Sequence, residues 1–421
     1  MSGNLILGAG IAGISAGYHA KKAGIRSVIY EKDGDWGGLC GNFTINGFRF
    51  DRFVHFSFAP DAADRKFFAG THGMYEHVPF PGSYYHGCWL RHPAQNNLAP
   101  LSPSEKVNII ADFIARPQKS CEDIAQYDEW LRVQYGSYFA EHFPFAYTRK
   151  YWGVEASELE TRWVGVRMYS PDLRQVLKGS YETQDECFYF AKKMFYPRKG
   201  GFRSILNGCR EGLDIRLNKK VVHIDVKRRE VTFADGSSAG YERLISTLPL
   251  PEIVTMLDDV PRAVREAVSG LHHTCGYQVS LGFHRPDVAK HLWFYIYDED
   301  IPPARVYSPN LKSPDNVPEG CSALQAEVFY DHRSVIPPAG DVLEKTVTAM
   351  TGMGLFDKKD IAVCDIRFEP YANITFTPGI YEKRALVRHY LKSLGIESIG
   401  RFGKWDYVWT HQAFADGRET A

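Results

Sequence analysis

The feature that most constrains the fold is a glycine-rich turn near the N-terminus. Residues 4–7 form an apolar run, and the pattern Gly8-x-Gly10-x-x-Gly13 follows it directly. An alanine-rich segment comes next, and a second apolar run ends at Glu31. A strand, a tight turn, a helix and a second strand within about 30 residues are typical of a βαβ unit. The sequence therefore predicts an α/β fold that begins with a parallel, Rossmann-like sheet.

The same turn predicts a dinucleotide site. The three glycines allow a tight turn, the close approach of a pyrophosphate and close helix–strand packing, while the helix N-terminus faces the phosphates. Glu31 lies 18 residues after Gly13, at the end of the second strand, where a carboxylate can accept hydrogen bonds from an adenosine ribose. The glycine spacing alone is weak evidence, but the strand before it and the helix after it make it specific.

Composition excludes several classes of partner. The chain has 421 residues, which suggests two or three domains. Its 50 Lys and Arg balance its 50 Asp and Glu, so no overall field attracts nucleic acid or an anionic membrane. No run reaches the roughly 20 apolar residues of a membrane span. We expect a cytoplasmic protein whose partner is a small molecule, and the sequence leaves a homodimer open.

The cysteines and aromatic residues add two expectations. The eight cysteines lack any C-x-x-C spacing, which predicts free thiols in a reducing compartment and no metal site; they stand at 40, 88, 121, 187, 209, 275, 321 and 364. Aromatic residues make up 14% of the chain. That excess fits an aromatic-lined pocket for a flat ligand as well as it fits a bulky core.

Hydrophobic periodicity predicts further elements along the chain. Two helices are expected, over 103–113 and 124–135. Apolar alternation and turn residues predict two groups of strands, the first at 213–217, 221–226, 231–233 and 244–248, and the second at 277–283, 292–297 and 322–330. The second group indicates a separate sheet.

A second glycine pair distinguishes between the dinucleotide cofactors. Gly37-Gly38 follows Glu31 and Lys32 after a short loop. An acidic strand end, a short loop and a double glycine resemble the extended pattern of FAD-binding proteins, which domains that bind only NAD usually lack. This resemblance favours FAD as the cofactor, with Gly8, Gly10 and Gly13 joined by Glu31, Lys32, Gly37 and Gly38.

Three later segments resemble the UDP-galactopyranose mutases. Residues 50–58, which include His55, stand where that family has a histidine-containing loop near the flavin. Residues 147–153 (Tyr-Thr-Arg-Lys-Tyr-Trp-Gly) resemble its Tyr-Thr-x-Lys-x-Trp-Gly segment, and residues 400–412 resemble the segment that lies along the flavin. The chain is thus similar to a superfamily that also includes protoporphyrinogen oxidases, phytoene desaturases and amine oxidases.

This resemblance implies roles for particular residues. It places His55 near the flavin and Arg305 at a substrate diphosphate. It implies substrate contacts for Tyr151, Trp152 and Tyr407, with Trp405 also expected in the cleft. It implies further cofactor contacts through Val222, Gly400, Arg401 and Gln412. Three of these residues have a purely structural alternative. His55 could belong to an ordinary turn, Trp152 could pack in a helical core, and Arg305 could form an ion pair.

The sequence also departs from the mutase pattern. The chain is longer between Leu159 and Tyr196, so Arg167 and Arg174 both remain candidates for a second diphosphate-binding arginine. The mutases have adjacent tyrosines followed by an acidic residue near the C-terminus, whereas here Tyr407 is followed by Val-Trp-Thr. Residues 245–250 are more similar to the amine oxidases. The reaction class therefore stays open at this point.

The resemblance implies three functional readings. The first is a pyranose/furanose mutase that uses reduced FAD on a nucleotide-activated sugar in polysaccharide or glycoconjugate precursor synthesis, with NAD(P)H as a candidate external reductant. The second is an FAD-dependent oxidase or desaturase acting on a small organic substrate. The third is a flavin-binding scaffold without catalysis. The first two need different cavities, one with a diphosphate site and one with an apolar tunnel.

The predicted organisation has three parts. A Rossmann-like FAD-binding domain of the glutathione-reductase type 2 class comprises residues 1–85, 200–260 and 385–421. A largely helical insertion over 86–199 contributes to the substrate cleft. A mixed or antiparallel β-sheet substrate domain comprises residues 261–384.

Overall fold

The computed structural model describes residues 3–186, 188–189 and 191–421, so the predicted thiol of Cys187 lies outside the described residues. The strands are β1 (Asn4–Leu7), β2 (Ser27–Tyr30), β3 (Asn42–Ile45), β4 (Phe48–Asp51), β5 (Met74–His77), β6 (Gly82–Tyr85), β7 (Cys88–Arg91), β8 (Met194–Pro197), β9 (Asp214–Arg216), β10 (Val221–Asp225), β11 (Glu230–Phe233), β12 (Ser238–Gly240), β13 (Arg243–Ser246), β14 (His273–Phe283), β15 (Trp293–Ile296), β16 (Arg305–Tyr307), β17 (Ser322–Asp331), β18 (Ile361–Ile374) and β19 (Ile396–Ser398). The helices are α1 (Ile11–Lys22), α2 (Ala62–Ala69), α3 (Pro103–Ala115), α4 (Tyr127–Tyr135), α5 (Ser137–Ala140), α6 (Ala146–Trp152), α7 (Leu173–Tyr181), α8 (Asn207–Arg210), α9 (Leu250–Thr255), α10 (Arg262–Ser269), α11 (Pro309–Lys312), α12 (Ala339–Gly352), α13 (Ile380–Ser393), α14 (Gly400–Lys404) and α15 (Thr410–Thr420).

The first sheet is the predicted parallel one. Its five strands lie in the order β19-β13-β1-β2-β9, and every pairing is parallel. All four residues of β1 are buried, as expected for a central strand with both faces covered. Strands from distant parts of the chain thus complete the sheet that β1, α1 and β2 begin.

The last helix packs on the first. The Ser15 hydroxyl of α1 donates a hydrogen bond to the Phe414 carbonyl oxygen of α15 at 2.6 Å. A Cβ added at Gly417 would lie 2.4 Å from the carbonyl oxygen of Ala12, so only glycine permits this close approach. The C-terminal helix therefore supports the turn at which α1 begins.

The second sheet has seven strands in the order β18-β14-β17-β16-β15-β6-β7. Strand β14 lies between β18 and β17, and all eleven of its residues are buried. The hairpin β6–β7 joins this sheet through parallel pairing of β6 with β15. The division predicted after residue 85 therefore falls within a hairpin whose other sheet partners lie between 273 and 374.

Helices α3 to α7 lie within residues 86–199, where the sequence predicts a helical insertion. Helix α3 begins with a capping box in which Ser102 and Glu105 satisfy each other's backbone N–H groups, and Pro103 occupies its first turn. Helix α4 begins three residues later than the predicted 124. A π-helical turn over Glu141–Phe145 joins α5 to α6. No helix in the described part of the chain is long and apolar enough to cross a bilayer.

Candidate functional site

Two adjoining cavities contain most of the sequence-predicted site residues. The first, here the glycine-lined cavity, has a volume of about 530 Å³. Its wall combines the two glycine segments with the residue after β2, the residue after β4 and the start of α14 and α15. The members that matter below are Gly8, Gly10, Glu31, Lys32, Gly37, Gly38, Arg52, His55, Val221, Gly400, Arg401 and Trp409.

The three glycines of the first turn have different surroundings. A Cβ at Gly13 would lie 2.0 Å from the carbonyl oxygen of Gly8, and one at Gly8 would lie 2.2 Å from the Thr247 hydroxyl. A Cβ at Gly10 would have no neighbour within 4 Å. Gly8 and Gly13 are therefore required by packing within the protein, whereas Gly10 keeps open a space in the cavity.

The second glycine pair contacts the first turn. The Gly37 N–H donates to the Ala9 carbonyl oxygen at 2.8 Å, and Gly37 has a φ of +111°. A Cβ at Gly38 would lie 3.1 Å from the Gly10 Cα. The two segments thus form one continuous backbone surface, which a bulky side chain in either segment would interrupt.

Glu31 lies in the wall of this cavity and is 7% exposed. One carboxylate oxygen accepts the Ala9 N–H at 2.7 Å, and the other accepts the Asp33 N–H at 3.0 Å. Each oxygen can accept more than one hydrogen bond. The carboxylate is thus fixed in place and keeps acceptor capacity for a hydroxyl group in the cavity.

Arg52 is a wall residue to which the sequence analysis assigned no role. Its guanidinium lies 3.5 Å from Asp33 and 3.6 Å from Glu369, which are long distances for ion pairs. It directly follows the buried Asp51 within the segment that resembles the mutases. The position of Arg52 directly after a strand end is the sequence signal that could have identified it.

His55 is inserted between the cavity and the protein core. Its imidazole stacks on Phe202 at 5.0 Å between ring centres, and Nδ1 lies 3.2 Å from the Phe53 carbonyl oxygen. Burial lowers the pKa of His55 to about 4, against a smaller raising effect of Asp51. The imidazole therefore faces the cavity uncharged at neutral pH.

Arg401 connects the glycine-lined cavity to its neighbour. Its guanidinium lies 5.0 Å from the ring centre of Tyr407, and its buried Nε has no hydrogen-bond partner among the described residues. The Asn373 side-chain oxygen accepts hydrogen bonds from Arg401 at 3.4 Å and from the Tyr151 hydroxyl at 3.2 Å. Asn373, which the sequence analysis did not identify, thus bridges residues of both cavities.

The second cavity, here the aromatic cavity, has a volume of about 310 Å³. Most of its wall consists of aromatic rings from the helical region, the second sheet and the C-terminal segment. These rings belong to Phe56, Phe58, Tyr127, Tyr135, Phe139, Tyr147, Tyr151, Trp152, Trp163, Tyr169, Phe188, Tyr189, Trp293, Tyr295, Tyr297, Tyr407 and Trp409. Among its described wall residues, only Arg167 and Arg305 carry a permanent charge.

Arg305 is paired with a buried carboxylate. Its Nε and one terminal nitrogen lie 2.7 and 2.6 Å from the same oxygen of Glu327, which is fully buried. The other Glu327 oxygen accepts the Val54 N–H at 2.7 Å. The ion-pair alternative of the sequence analysis is thus present, and Arg305 also lines the cavity.

Arg167 has no such partner. Its guanidinium donates to the carbonyl oxygens of Trp163 at 2.8 Å and Tyr407 at 3.0 Å, and it lies over the rings of Tyr407 and Trp409. No carboxylate in the described part of the chain is ion-paired with it, since the nearby Asp406 pairs with Arg384 at 3.0 Å. Burial lowers the pKa of Arg167, but an arginine remains protonated. It is the uncompensated cation of the aromatic cavity.

The two cavities share a wall. Val54 and Phe56 line the aromatic cavity, whereas His55 between them lines the glycine-lined cavity. Trp409 belongs to both. A group bound in one cavity therefore lies beside a group bound in the other, separated by residues 54–56 and the Trp409 indole ring.

Several predicted site residues lie elsewhere. Gly13 is buried beneath the turn, and the side chain of Val222 is 45% exposed while its neighbour Val221 lines the cavity. Gln412 is exposed and accepts the Trp409 N–H at 2.8 Å, which caps α15. Arg174 is exposed on α7, outside both cavities.

Trp405 also differs from expectation. It was predicted in the cleft, but it is fully buried. It has a φ of +53° where α14 ends, so the chain reverses there, and its ring packs against His273 and Phe402. The helix end thus directs this indole into the core, and Trp409 four residues later supplies the ring between the cavities.

The glycine-lined cavity fits an FAD molecule on its own chemistry. The N-terminus of the twelve-residue helix α1 opens into it with no side-chain cap and no acidic residue in the first turn, which leaves N–H groups for a diphosphate. Glu31 offers a carboxylate for a ribose, and Arg401 a buried unpartnered Nε. Gly10 keeps the necessary space open.

Family models match both parts of this site. Residues 6–69 match the NAD(P)-binding Rossmann-like domain. Residues 126–402, more than half of the chain, match the flavin containing amine oxidoreductase family. The first match covers the glycine turn, Glu31 and His55, and the second covers both arginines of the aromatic cavity.

Solved structures show the same fold. A reduced UDP-galactopyranose mutase superposes with a TM-score of 0.91 at 22% identity, covering 100% of this chain and 94% of that one. A candidate protoporphyrinogen oxidase from Exiguobacterium sp. 255-15 gives a TM-score of 0.74 at 16% identity, covering 99% and 97%. A CLA-producing fatty acid isomerase from P. acnes gives 0.65 at 13%, also covering 99% and 97%. These neighbours differ in chemistry, so the shared fold alone does not assign a reaction.

Proposed function

This chain belongs to the family of flavin-containing amine oxidoreductases, and we propose that it is an FAD-dependent mutase acting on a nucleoside-diphosphate sugar. The observation that carries this proposal is the uncompensated cation Arg167 in an aromatic cavity that shares a wall with the glycine-lined cavity. The name of the mutase neighbour, which shares 22% identity, supports the same substrate class.

The charges of the aromatic cavity suit an anion. Arg305 is balanced by Glu327, whereas Arg167 is not, so the cavity has a net positive charge in a low-dielectric surrounding. Guanidinium groups bind phosphate oxygens through paired, charge-assisted hydrogen bonds. Aromatic rings in the same wall provide flat surfaces for a base or a sugar ring. A nucleoside diphosphate uses both features.

The protein's part in the reaction follows from these contacts. A reduced flavin held by Gly10, Glu31 and Arg401 in the glycine-lined cavity would supply a nucleophile for the sugar's anomeric carbon. Arg167 and Arg305 stabilise the negative charge of the diphosphate as it leaves and hold it for its return. The aromatic wall excludes water, and Tyr151 and Tyr407 orient the substrate. Such an isomerase would serve the synthesis of polysaccharide or glycoconjugate precursors.

Nucleotide binding tests the proposal with a matched pair of variants. The FAD-loaded, reduced protein is titrated with UDP, GDP and ADP, and binding is followed in the flavin absorbance. R167A should weaken binding of the preferred nucleotide by about 10- to 150-fold, which corresponds to a charge-assisted hydrogen bond. R174A, at an exposed site outside the cavity, should bind as the unmodified protein does. A protein that binds none of these nucleotides below millimolar concentration contradicts the proposal.

The alternative is an FAD-dependent oxidoreductase acting on a small organic substrate. The mainly aromatic wall favours it, because an amine or a carbon–carbon bond to be oxidised needs little charge in its pocket. The two proposed enzymes differ in whether the flavin changes its oxidation state over each turnover. A mutase interconverts ring forms without net consumption of reductant, whereas an oxidase or desaturase reduces its flavin with each substrate and needs an electron acceptor.

A further inference from the structure

The segment that separates the two cavities is anchored from behind by a buried ion pair. Lys312 Nζ, at the end of α11, lies 2.5 Å from a carboxylate oxygen of Asp51, which ends β4. The Lys312 and Asp51 side chains are 0% and 1% exposed. The site described above does not include this pair, although Asp51 is only four residues from His55 in the sequence.

Asp51 has further partners that concern His55. The Tyr196 hydroxyl donates to the oxygen that Lys312 contacts, at 2.7 Å, and the Phe202 N–H donates to the other oxygen at 3.0 Å. Phe202 is the residue on which the His55 imidazole stacks. The Asp51 carboxylate thus fixes both the end of β4, which leads to His55, and Phe202, on whose ring the His55 imidazole stacks.

The backbone between Asp51 and His55 is held equally closely. Phe53 has a φ of +59°, which is unfavourable for a bulky residue. Its N–H donates to Gln278 at 2.5 Å, and the Val54 N–H donates to Glu327 at 2.7 Å. Such a conformation persists only where the surroundings impose it.

Stability alone does not account for a buried ion pair of this kind. Removing two charges from water costs several kcal/mol per ion, and apolar replacements of similar size are often as stable. Lys312 is otherwise surrounded by rings, with those of Tyr196 and Tyr307 centred 4.7 and 4.5 Å from its nitrogen. An apolar side chain would suit that surrounding.

We infer that the buried Asp51–Lys312 pair is a positioning element, which holds His55 at the glycine-lined cavity and sets the electrostatic field at its imidazole. The inference rests on the flavin-binding role of that cavity and is independent of the choice between mutase and oxidoreductase. Neither residue lines either cavity, so both act through His55.

The groups around His55 determine the direction in which its pKa should change when Lys312 is lost. Burial is the main cause that lowers the pKa of His55 to about 4. Asp51 on its own segment raises that pKa, Lys312 on α11 and Arg401 on α14 lower it, and the hydrogen bond with the Phe53 carbonyl oxygen raises it. Loss of Lys312 alone would leave Asp51 uncompensated and favour the imidazolium beside the cofactor.

Titration of His55 by NMR tests the inference directly. The chain is labelled with ¹⁵N-histidine, the His55 signals are assigned by their loss in H55Q, and the pH titration is recorded with and without FAD. In K312M the pKa of His55 should rise above its value in the unmodified protein. In D51N/K312M, which restores local neutrality, it should return towards that value. K119M, which breaks the exposed pair of Lys119 with Glu129, is the matched control and should change nothing.

The flavin absorbance provides a second measurement of the charge on His55. In FAD-loaded K312M the flavin absorbance should change with pH at the His55 midpoint, and the double variant should lack that change. A His55 pKa equal in K312M and the unmodified protein overturns the inference. If K312M does not fold, D51N is compared with D51N/K312M. The His55 pKa should be lower in D51N, where Lys312 remains, and equal values overturn the inference.

Discussion

Arg305 and Glu327 lie opposite each other on β16 and β17, so their pairing is built into the sheet register. The carboxylate is fully buried and also fixes the Val54 N–H of the wall segment. This one residue pair therefore contributes a guanidinium to the aromatic cavity and, through Glu327, holds the wall between the cavities. Loss of either partner should affect both.

Removal of Arg305 should reveal the cost of an unpaired buried carboxylate. R305A is expected to lower the free energy of unfolding by about 3–5 kcal/mol, because Glu327 then remains buried without its cation. R305M/E327Q should recover most of that loss, since a glutamine can still accept the Val54 N–H. Urea unfolding without FAD measures both. An unchanged midpoint in R305A would contradict the stabilising role of this ion pair.

At the scale of secondary-structure elements, the β1–α1–β2 unit agrees closely with the prediction made from its local sequence pattern. The predicted strand at 4–7 is β1, and the glycine turn leads directly into α1. The long strand β18 was not predicted, because it lies at a sheet edge and its sequence includes polar residues such as Asp365, Arg367 and Glu369. Apolar periodicity is a weak signal for such a strand.

Two alanine substitutions in the glycine turn should separate folding from cofactor binding. G10A should leave the melting temperature of the cofactor-free protein unchanged, because the new Cβ has no protein neighbour within 4 Å. It should weaken FAD binding by about tenfold or more, since that Cβ occupies the space for the diphosphate. G13A should destabilise the protein itself, because its Cβ lies 2.0 Å from the Gly8 carbonyl oxygen.

Thermal unfolding and FAD titration of both variants check this prediction. If G10A destabilises the cofactor-free protein as much as G13A does, the turn is closed against the cavity and the assignment of Gly10 is wrong. If G10A binds FAD normally, the diphosphate does not approach this turn.

At the scale of the whole molecule, three histidines with lowered pKa values link stability to pH. Burial is the main cause that lowers the pKa of His55 and His92 to about 4 and that of His273 to about 3, from an ordinary value of 6.5. The unfolded chain therefore takes up protons below pH 6.5 that the folded chain does not. The stability that these neutral rings contribute is present above pH 6.5 and is lost as the pH falls towards 4.

The free energy of unfolding should therefore decrease between pH 6.5 and 4, by about 1.4 kcal/mol per pH unit for each neutral histidine. Urea unfolding across this pH range measures the slope. H273Q should reduce it, whereas H72Q, at an exposed position, should leave it unchanged. A free energy that is flat below pH 6.5 contradicts the assignment of these histidines as neutral in the fold.

Local sequence patterns are sufficient to predict the parts of this protein whose geometry depends on neighbouring residues. The turn at Gly8–Gly13, the helix that follows and the carboxylate of Glu31 are local, because their geometry is set within about 30 residues. Resemblance then indicated the flavin family and the order of the later segments, and the family match confirmed it.

Which charged side chains lie close together depends on the packing of distant segments. Arg167 and Arg174 were equivalent in the sequence, but the first lines the aromatic cavity and the second is exposed on α7. The pairing of Arg305 with Glu327 and of Asp51 with Lys312 joins residues that are far apart in the chain or lie in different elements. Whether a charge is compensated depends on sheet register and burial, which the packing of distant segments creates and no local pattern encodes.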